Sequence, residues 1–232
     1  NTGVGAYCLD ANTTGFANAA VGRNALTANT TAAYNNAIGN GALAACTTGS
    51  SNIAMGSEAG DSITTGSNNT ALGRYTLQAA TTANDNTAVG GWALYANTSG
   101  NSNVGVGNSA LRNNTTGFAN VAVGWKSLEA NTTADANTAL GYEAGKSITT
   151  GGDNTALGSQ ALDATTTGQQ NTAVGSVALG ANTTGSYNTA VGYRSLDANT
   201  TGSNSVAMGC KALLANTTGY MNVGIGNSAL PA

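Results

Sequence analysis

Charge is what this chain has least of. Seven Lys and Arg and ten Asp and Glu make up 7% of its 232 residues, against roughly 25% in ordinary soluble domains. No basic cluster is present to track phosphates, so nucleic acid is not an expected partner. Histidine is absent altogether, which removes the side chain most used for proton transfer near neutral pH and the commonest metal ligand. Only one proline, Pro231, occurs. The three cysteines, Cys8, Cys46 and Cys210, would not be neighbours in a regular stack, so neither a disulfide nor a metal site is expected. No apolar run approaches the roughly 18–20 residues that cross a bilayer, so membrane insertion is not expected. No secretion leader is visible either.

What is there is one motif, NTAVGxxALxANTTGxx, at a strict period of 17 residues. Its first position (slot 1) is Asn in every repeat except Ser205. Thirteen full repeats and an eleven-residue partial repeat, 222–232, fill the chain. A short fixed period means that each repeat packs only on its neighbours, so residues 1–232 are expected to form a single repeat domain. Low charge and abundant small polar residues might otherwise indicate disorder. Disordered tracts lack an apolar residue locked to a fixed slot, whereas slot 4 is apolar throughout, from Val4 and Val21 to Met208 and Ile225.

Slots 2 and 4 share one face of a short strand by period-two patterning. A segment xALxA follows the invariant Gly of slot 5, and its slot-9 Leu is expected to face the same interior as slots 2 and 4. NTTG then turns the chain back, with Asn and Gly suited to left-handed backbone angles. Two helices do not fit in 17 residues, and Gly and β-branched residues at fixed slots weaken one. The expected fold is therefore all-β: a parallel β-solenoid (β-roll) of about 14 coils, 17 residues each. Coils stacked about 4.8 Å apart would make a rod roughly 65 Å long. Identical side chains then lie above one another, so an interrupted amide ladder is expected at slot 12 and a hydroxyl ladder at slot 13. In repeats 4 and 9 the slot-9 Leu becomes Gly60 and Gly145, while slot 12 becomes Ile63 and Ile148. Volume lost at one slot returns at another, which keeps the interior filled.

Each coil carries little apolar volume against an ordering cost of roughly 1–2 kcal/mol per residue. The Ala and Gly columns at slots 3, 8 and 11 are flat and nearly uncharged, so self-association, as a homotrimer or other bundle, is expected along them. Both ends of the series look uncapped. Neighbouring domains or head-to-tail filaments follow, with Asn1, Asn222, Ile225 and Leu230 at the end-to-end joint.

The NTAVG and SVAMG (Ser205–Gly209) motifs followed by xxAL resemble the repeats of YadA-like trimeric autotransporter adhesin heads. The full unit NTAVGxxALxANTTG is more similar to repeats of phage and bacterial tail-fibre-like proteins. The resemblance spans the whole chain. It implies a left-handed parallel β-roll, often trimeric, in an extracellular fibre at a cell surface or on a virion.

Chemistry is sparse. Glu58 and Glu143 share slot 7 but lie five coils apart, roughly 24 Å by coil spacing, too far for a glycosidase pair. No Ser or Thr has an evident base to activate it. No enzyme and no cofactor are expected. The aromatic residues occupy variable, outward slots. Trp92, Trp125 and Tyr142 form a candidate strip for cell-surface glycans, because an amphipathic ring stacks on a sugar face. The alternative is scattered surface or interchain aromatics. The NTT triplets are also N-x-T sequons, so Asn12, Asn29, Asn97, Asn114, Asn131, Asn182, Asn199 and Asn216 are candidate glycosylation sites on an exposed edge. Against this, the same triplet suits corner geometry and laddering. Ice binding needs a flat Thr array. The adjacent Thr of slots 13 and 14 are expected to point to opposite sides, which weakens that reading. The leading expectation is a stiff structural spacer, with adhesion through outward aromatics as the second.

Overall fold

The computed structural model describes residues 1–230; Pro231 and Ala232, the end of the partial repeat, lie outside the described residues. The chain is a parallel β-solenoid with 17 residues per turn, and no helix occurs among the described residues. Two compact units are present, Asn1–Phe118 and Ala119–Ala232. The first holds seven three-residue strands, from β1 (Thr2–Val4) to β7 (Val104–Val106). The second holds seven more, from β8 (Val121–Val123) to β14 (Val223–Ile225). Within each unit every strand pairs in parallel with the next coil, and residue n faces residue n + 17, as Thr155 faces Thr172.

Main-chain hydrogen bonds continue around the coil beyond the strands. Leu26 N–H donates to Ala42 O at 3.0 Å, Ala28 N–H to Ala44 O at 3.0 Å, and Thr30 N–H to Thr47 O at 3.2 Å. Besides the slot-5 Gly, three residues per coil take left-handed angles, at slots 7, 9 and 17; Asn24, Leu26 and Tyr34 have φ of 59°, 51° and 62°. Leu is an unusual residue there, because a branched side chain crowds the backbone at positive φ. Full burial of Leu26, Leu94 and Leu162 offsets that strain. The Gly of slot 5 has no substitute. At Gly158, φ is +137° and an added Cβ would lie 2.7 Å from the Gly175 carbonyl of the next coil.

The interior is built from slots 1, 3, 8, 9, 12 and 15, which corrects the expected inside face. Ala20, Ala37 and Ala54 of slot 3 are fully buried, whereas slot 4 is open, at 40% for Val21 and 43% for Ile38. The reason is space. A Cβ on Gly105 of slot 3 would stand 3.3 Å from the Ala110 carbonyl oxygen and 3.4 Å from the slot-9 side chain of Leu94, so slot 3 has room for a methyl group and nothing larger. Ala25 and Ala42 of slot 8 are buried as well. Of the three small-residue columns expected at an interface, only slot 11 reaches the surface.

Two Asn ladders run through this interior. The larger, at slot 1, was not anticipated as a ladder. Asn52 N–H donates to Asn35 Oδ1 at 2.9 Å, its Nδ2 donates to Gly66 O at 2.9 Å, and its Oδ1 accepts from Asn69 N–H at 3.0 Å. At slot 12, Asn29 Nδ2 donates to Asn12 Oδ1 at 2.6 Å and Asn199 Nδ2 to Asn182 Oδ1 at 3.0 Å, as expected of that ladder. Both ladders converge on the slot-15 carbonyl: Gly185 O accepts from Asn171 Nδ2 at 2.9 Å and from Asn182 Nδ2 at 3.0 Å. The slot-13 hydroxyls donate to main chain instead of to one another, as Thr183 Oγ1 does to Thr200 O at 3.0 Å.

Cys46 breaks the slot-12 ladder. Its thiol donates to Gly49 O at 3.2 Å, and the buried Oδ1 of Asn29 is left without a hydrogen-bond partner. Cys46→Asn is expected to add about 1–2 kcal/mol of stability by returning a donor to that oxygen. Burial also pushes the Cys46 thiol from 9.0 to about 11. A thiol raised in the folded state holds its proton after the unfolded chain has released it. Stability from this group is therefore intact below pH 9 and falls between pH 9 and 11, by about 3 kcal/mol. Urea unfolding of wild type and Cys46→Asn across that range checks both effects; parallel pH profiles would contradict the second.

Candidate functional site

The surface columns are slots 2, 4, 6, 7, 10, 11, 13, 14, 16 and 17, and the candidate site residues are distributed unevenly among them. Trp125 and Tyr142 occupy slot 6 of successive coils in the second unit. In-register stacking of the coils places their rings face to face, with centroids 5.0 Å apart and planes 16° apart. Lys126 Nζ lies 4.6 Å from the Trp125 ring centroid and also pairs with Glu129 at 3.5 Å. Both rings stay open to solvent, at 40% and 51%.

Next to this pair lies a polar cluster. Glu143 is buried, accepts from Lys146 Nζ at 2.7 Å and from Gln160 Nε2 at 3.4 Å. The Lys146 hydrogen bond holds the Glu143 carboxyl below its ordinary range against the opposing effect of burial, and Glu143 in turn raises Lys146. Asp163 is raised by burial, with Lys146 opposing and Glu143 adding.

Trp92 has a partner of its own. It belongs to the first unit, where its partner is Tyr75, at 6.0 Å and 36°. Arg74 covers the Tyr75 ring at 4.3 Å and donates to the Tyr75 hydroxyl at 2.7 Å. Here too a carboxylate–amide pair adjoins the rings: Gln78 Nε2 donates to Glu58 Oε2 at 2.9 Å. Asp61 beside it is raised by burial first and by Glu58 second. Tyr75, Glu58, Gln78 and Gln160 escaped the sequence reading as site residues. The usable signal was aromatic residues in adjacent repeats with a Glu and a Gln one coil apart. A third aromatic pair, Phe16 and Tyr34, meets edge to face at 5.2 Å.

The sequon column is placed differently from the expectation. Asn29, Asn97, Asn114, Asn131, Asn182 and Asn199 are fully buried, and Asn12 and Asn216 are half-buried. These amides line the interior because the ladder needs them there, so the folded coil offers no exposed Asn edge for sugar. The Thr of slots 13 and 14 both reach the surface, half-buried to exposed at slot 13 and exposed at slot 14. The chain bends at these slots, and the alternation of a strand does not hold in a bend. Of the residues assigned to an end-to-end joint, Ile225 is 68% and Leu230 58% exposed. Asn222 and Leu230 line a cavity of about 370 Å³ with Leu213, Asn216 and Gly219. Asn1 is exposed, and its Nδ2 donates to Gly15 O at 2.7 Å. Among the described residues, no group of three or more Cys, Asp and Glu is placed to hold a metal ion, and no helix is long and apolar enough to cross a membrane.

Comparison with protein-family models, with curated proteins and with solved structures finds no match to this chain.

Proposed function

We propose that this chain is a structural segment of an extracellular fibre that assembles with copies of itself through the outer face of its strands. The observation that carries this reading is the slot-4 column. It is apolar in all fourteen repeats and reaches the surface in each unit, exposed at Val21 40%, Ile38 43% and Met55 43% in the first and at Leu140 37%, Leu157 44% and Met208 44% in the second, and half-buried at Leu72, Val89, Val106, Val123, Val174 and Val191. Parallel sheets are usually covered on both faces, and contiguous exposed apolar surface marks contact sites. The small residues at slot 3 already cover the inner face, so the outer face is the one that needs a partner. The buried amide ladders suit a spacer, because within each unit they tie coil to coil through side chains as well as main chain.

Cryo-electron microscopy of the purified chain tests this directly. Three abutting coils with slot 4 at the contact are expected. Leu157→Glu is expected to weaken association about tenfold or more, roughly 1.4 kcal/mol, whereas Ser159→Glu, two residues away, leaves it unchanged. Isolated single chains at high concentration would sink the proposal.

A second reading, adhesion to glycans, is favoured by the solvent-open stacked pair of Trp125 and Tyr142. It is compatible with the first, since these rings lie at slot 6, outside the slot-4 column.

A further inference from the structure

Resting on the adhesive reading, we infer that each unit carries one subsite for an uncharged pyranose chain: Tyr75 and Trp92 with Glu58 and Gln78 in the first, Trp125 and Tyr142 with Glu143 and Gln160 in the second.

A pyranose has two kinds of surface. One is a patch of C–H groups that a solvent-open aromatic ring covers. The other is a rim of hydroxyls that act as donor and acceptor at once, and these match a carboxylate, which only accepts, beside an amide, which does both. Both units supply rings beside a carboxylate and an amide; the rings are solvent-open in the second unit and half-buried in the first. The rings are one coil apart in each, at 6.0 Å and 5.0 Å between centroids. The carboxylate and amide lie next to them, bridged at 2.9 Å in the first unit and 3.4 Å in the second. The two sets share a slot-7 Glu, Glu58 and Glu143, but take their rings and their amide from different slots. Tyr75 and Trp92 use slot 7 and Trp125 and Tyr142 use slot 6; Gln78 comes from slot 10 and Gln160 from slot 7. A copied repeat accounts for the shared Glu, so the independent part of the recurrence is the ring pair and the amide, which stand in new slots.

The cations are already engaged. Arg74 lies on Tyr75 and Lys126 on Trp125, at 4.3 Å and 4.6 Å, and Lys146 is paired with Glu143 at 2.7 Å. A cation held on a ring fixes its orientation before a ligand arrives, which lowers the ordering cost of binding. With Lys126 and Lys146 paired to Glu129 and Glu143, Arg74 held on a ring and the chain at a net −3, the surface suits an uncharged saccharide better than an anionic one.

The chain contains only two Trp, one in each subsite, so intrinsic fluorescence reports each subsite separately. The test titrates the full chain, and the variants Trp92→Phe and Trp125→Phe, with neutral oligosaccharides derived from β-glucan, galactan and mannan, with an anionic uronate oligosaccharide for comparison. Saturable change with at least one neutral ligand is expected from each Trp in turn. In affinity electrophoresis Tyr142→Ala and Gln160→Ala are expected to weaken the second subsite about tenfold or more, and Phe16→Ala to change nothing. Because all these side chains reach the surface, circular dichroism should stay unchanged. Binding of the uronate alone, or neutral binding that Phe16→Ala lowers and Tyr142→Ala does not, would overturn the inference and leave adhesion standing. Absence of binding to every saccharide would overturn both.

Discussion

Replacing Asn171 by Ala is expected to cost about 3 kcal/mol, although the change removes no apolar contact. Asn171 Nδ2 donates to Asn154 Oδ1 at 3.1 Å and to Gly185 O at 2.9 Å, and its Oδ1 accepts from Asn188 N–H at 3.0 Å. Gly185 O keeps its second donor, Asn182. The Asn188 amide loses its acceptor and has no water within reach, because Asn171 and Asn188 are both buried. An orphaned buried donor costs about 1–3 kcal/mol, in addition to the bonds lost. Coil 13 shows the milder substitution: Ser205 stands at slot 1, and its Oγ accepts from Asn222 N–H at 3.2 Å. Asn171→Ser is therefore expected to lose about half as much as Asn171→Ala. Urea unfolding gives the magnitudes, and hydrogen exchange at the Asn188 amide gives the site. Protection of that amide in Asn171→Ala equal to wild type would contradict the ladder account.

The second large effect is at the Gly145–Ile148 pair. An added Cβ at Gly145 would lie 3.0 Å from Ile148 Cδ1 and 3.0 Å from Leu128 Cδ2. Ile148 thus reaches the space that the slot-9 Leu fills in other coils. The backbone is not the obstacle: φ at Gly145 is 59°, close to the 50° of Leu128. Ile148→Ala should leave a cavity costing about 3 kcal/mol, and Gly145→Leu should overpack the coil by about 2 kcal/mol. The double variant Gly145→Leu/Ile148→Asn restores the common pattern and should lie within about 1 kcal/mol of wild type. The coupling is the test, and additive effects in the cycle would show that the two side chains do not share one space. The same exchange at Gly60 and Ile63, where an added Cβ on Gly60 would likewise lie 3.0 Å from Ile63 Cδ1, offers a second instance in the other unit.

That pair was legible in the sequence because two slots changed together in two repeats. The aromatic subsites were only half legible. Trp125 and Tyr142 share a slot in adjacent coils, so their stacking follows from register. Trp92 sits in slot 7 and pairs with Tyr75 of the same slot one coil earlier, a partner that the choice of Trp as the signal passed over. The buried amides were misplaced at the surface for a physical reason. Asn is usually exposed, and a sequon does not show whether its amide meets solvent or another amide of a ladder.

The sequence by itself determined the period, the parallel in-register stacking, the stacking of like on like and the compensation of Gly by Ile, because all of these depend only on repetition and volume. It did not determine which face of the strand is inside. In Thr-Ala-Val the larger apolar residue and the small one alternate, and hydrophobicity alone points the Val inward. The tertiary structure decided for Ala, because the slot-9 Leu on its left-handed backbone already fills the coil and leaves slot 3 room for no more than a methyl group. The Val of slot 4 is thereby turned outward, and with it the surface on which assembly is proposed.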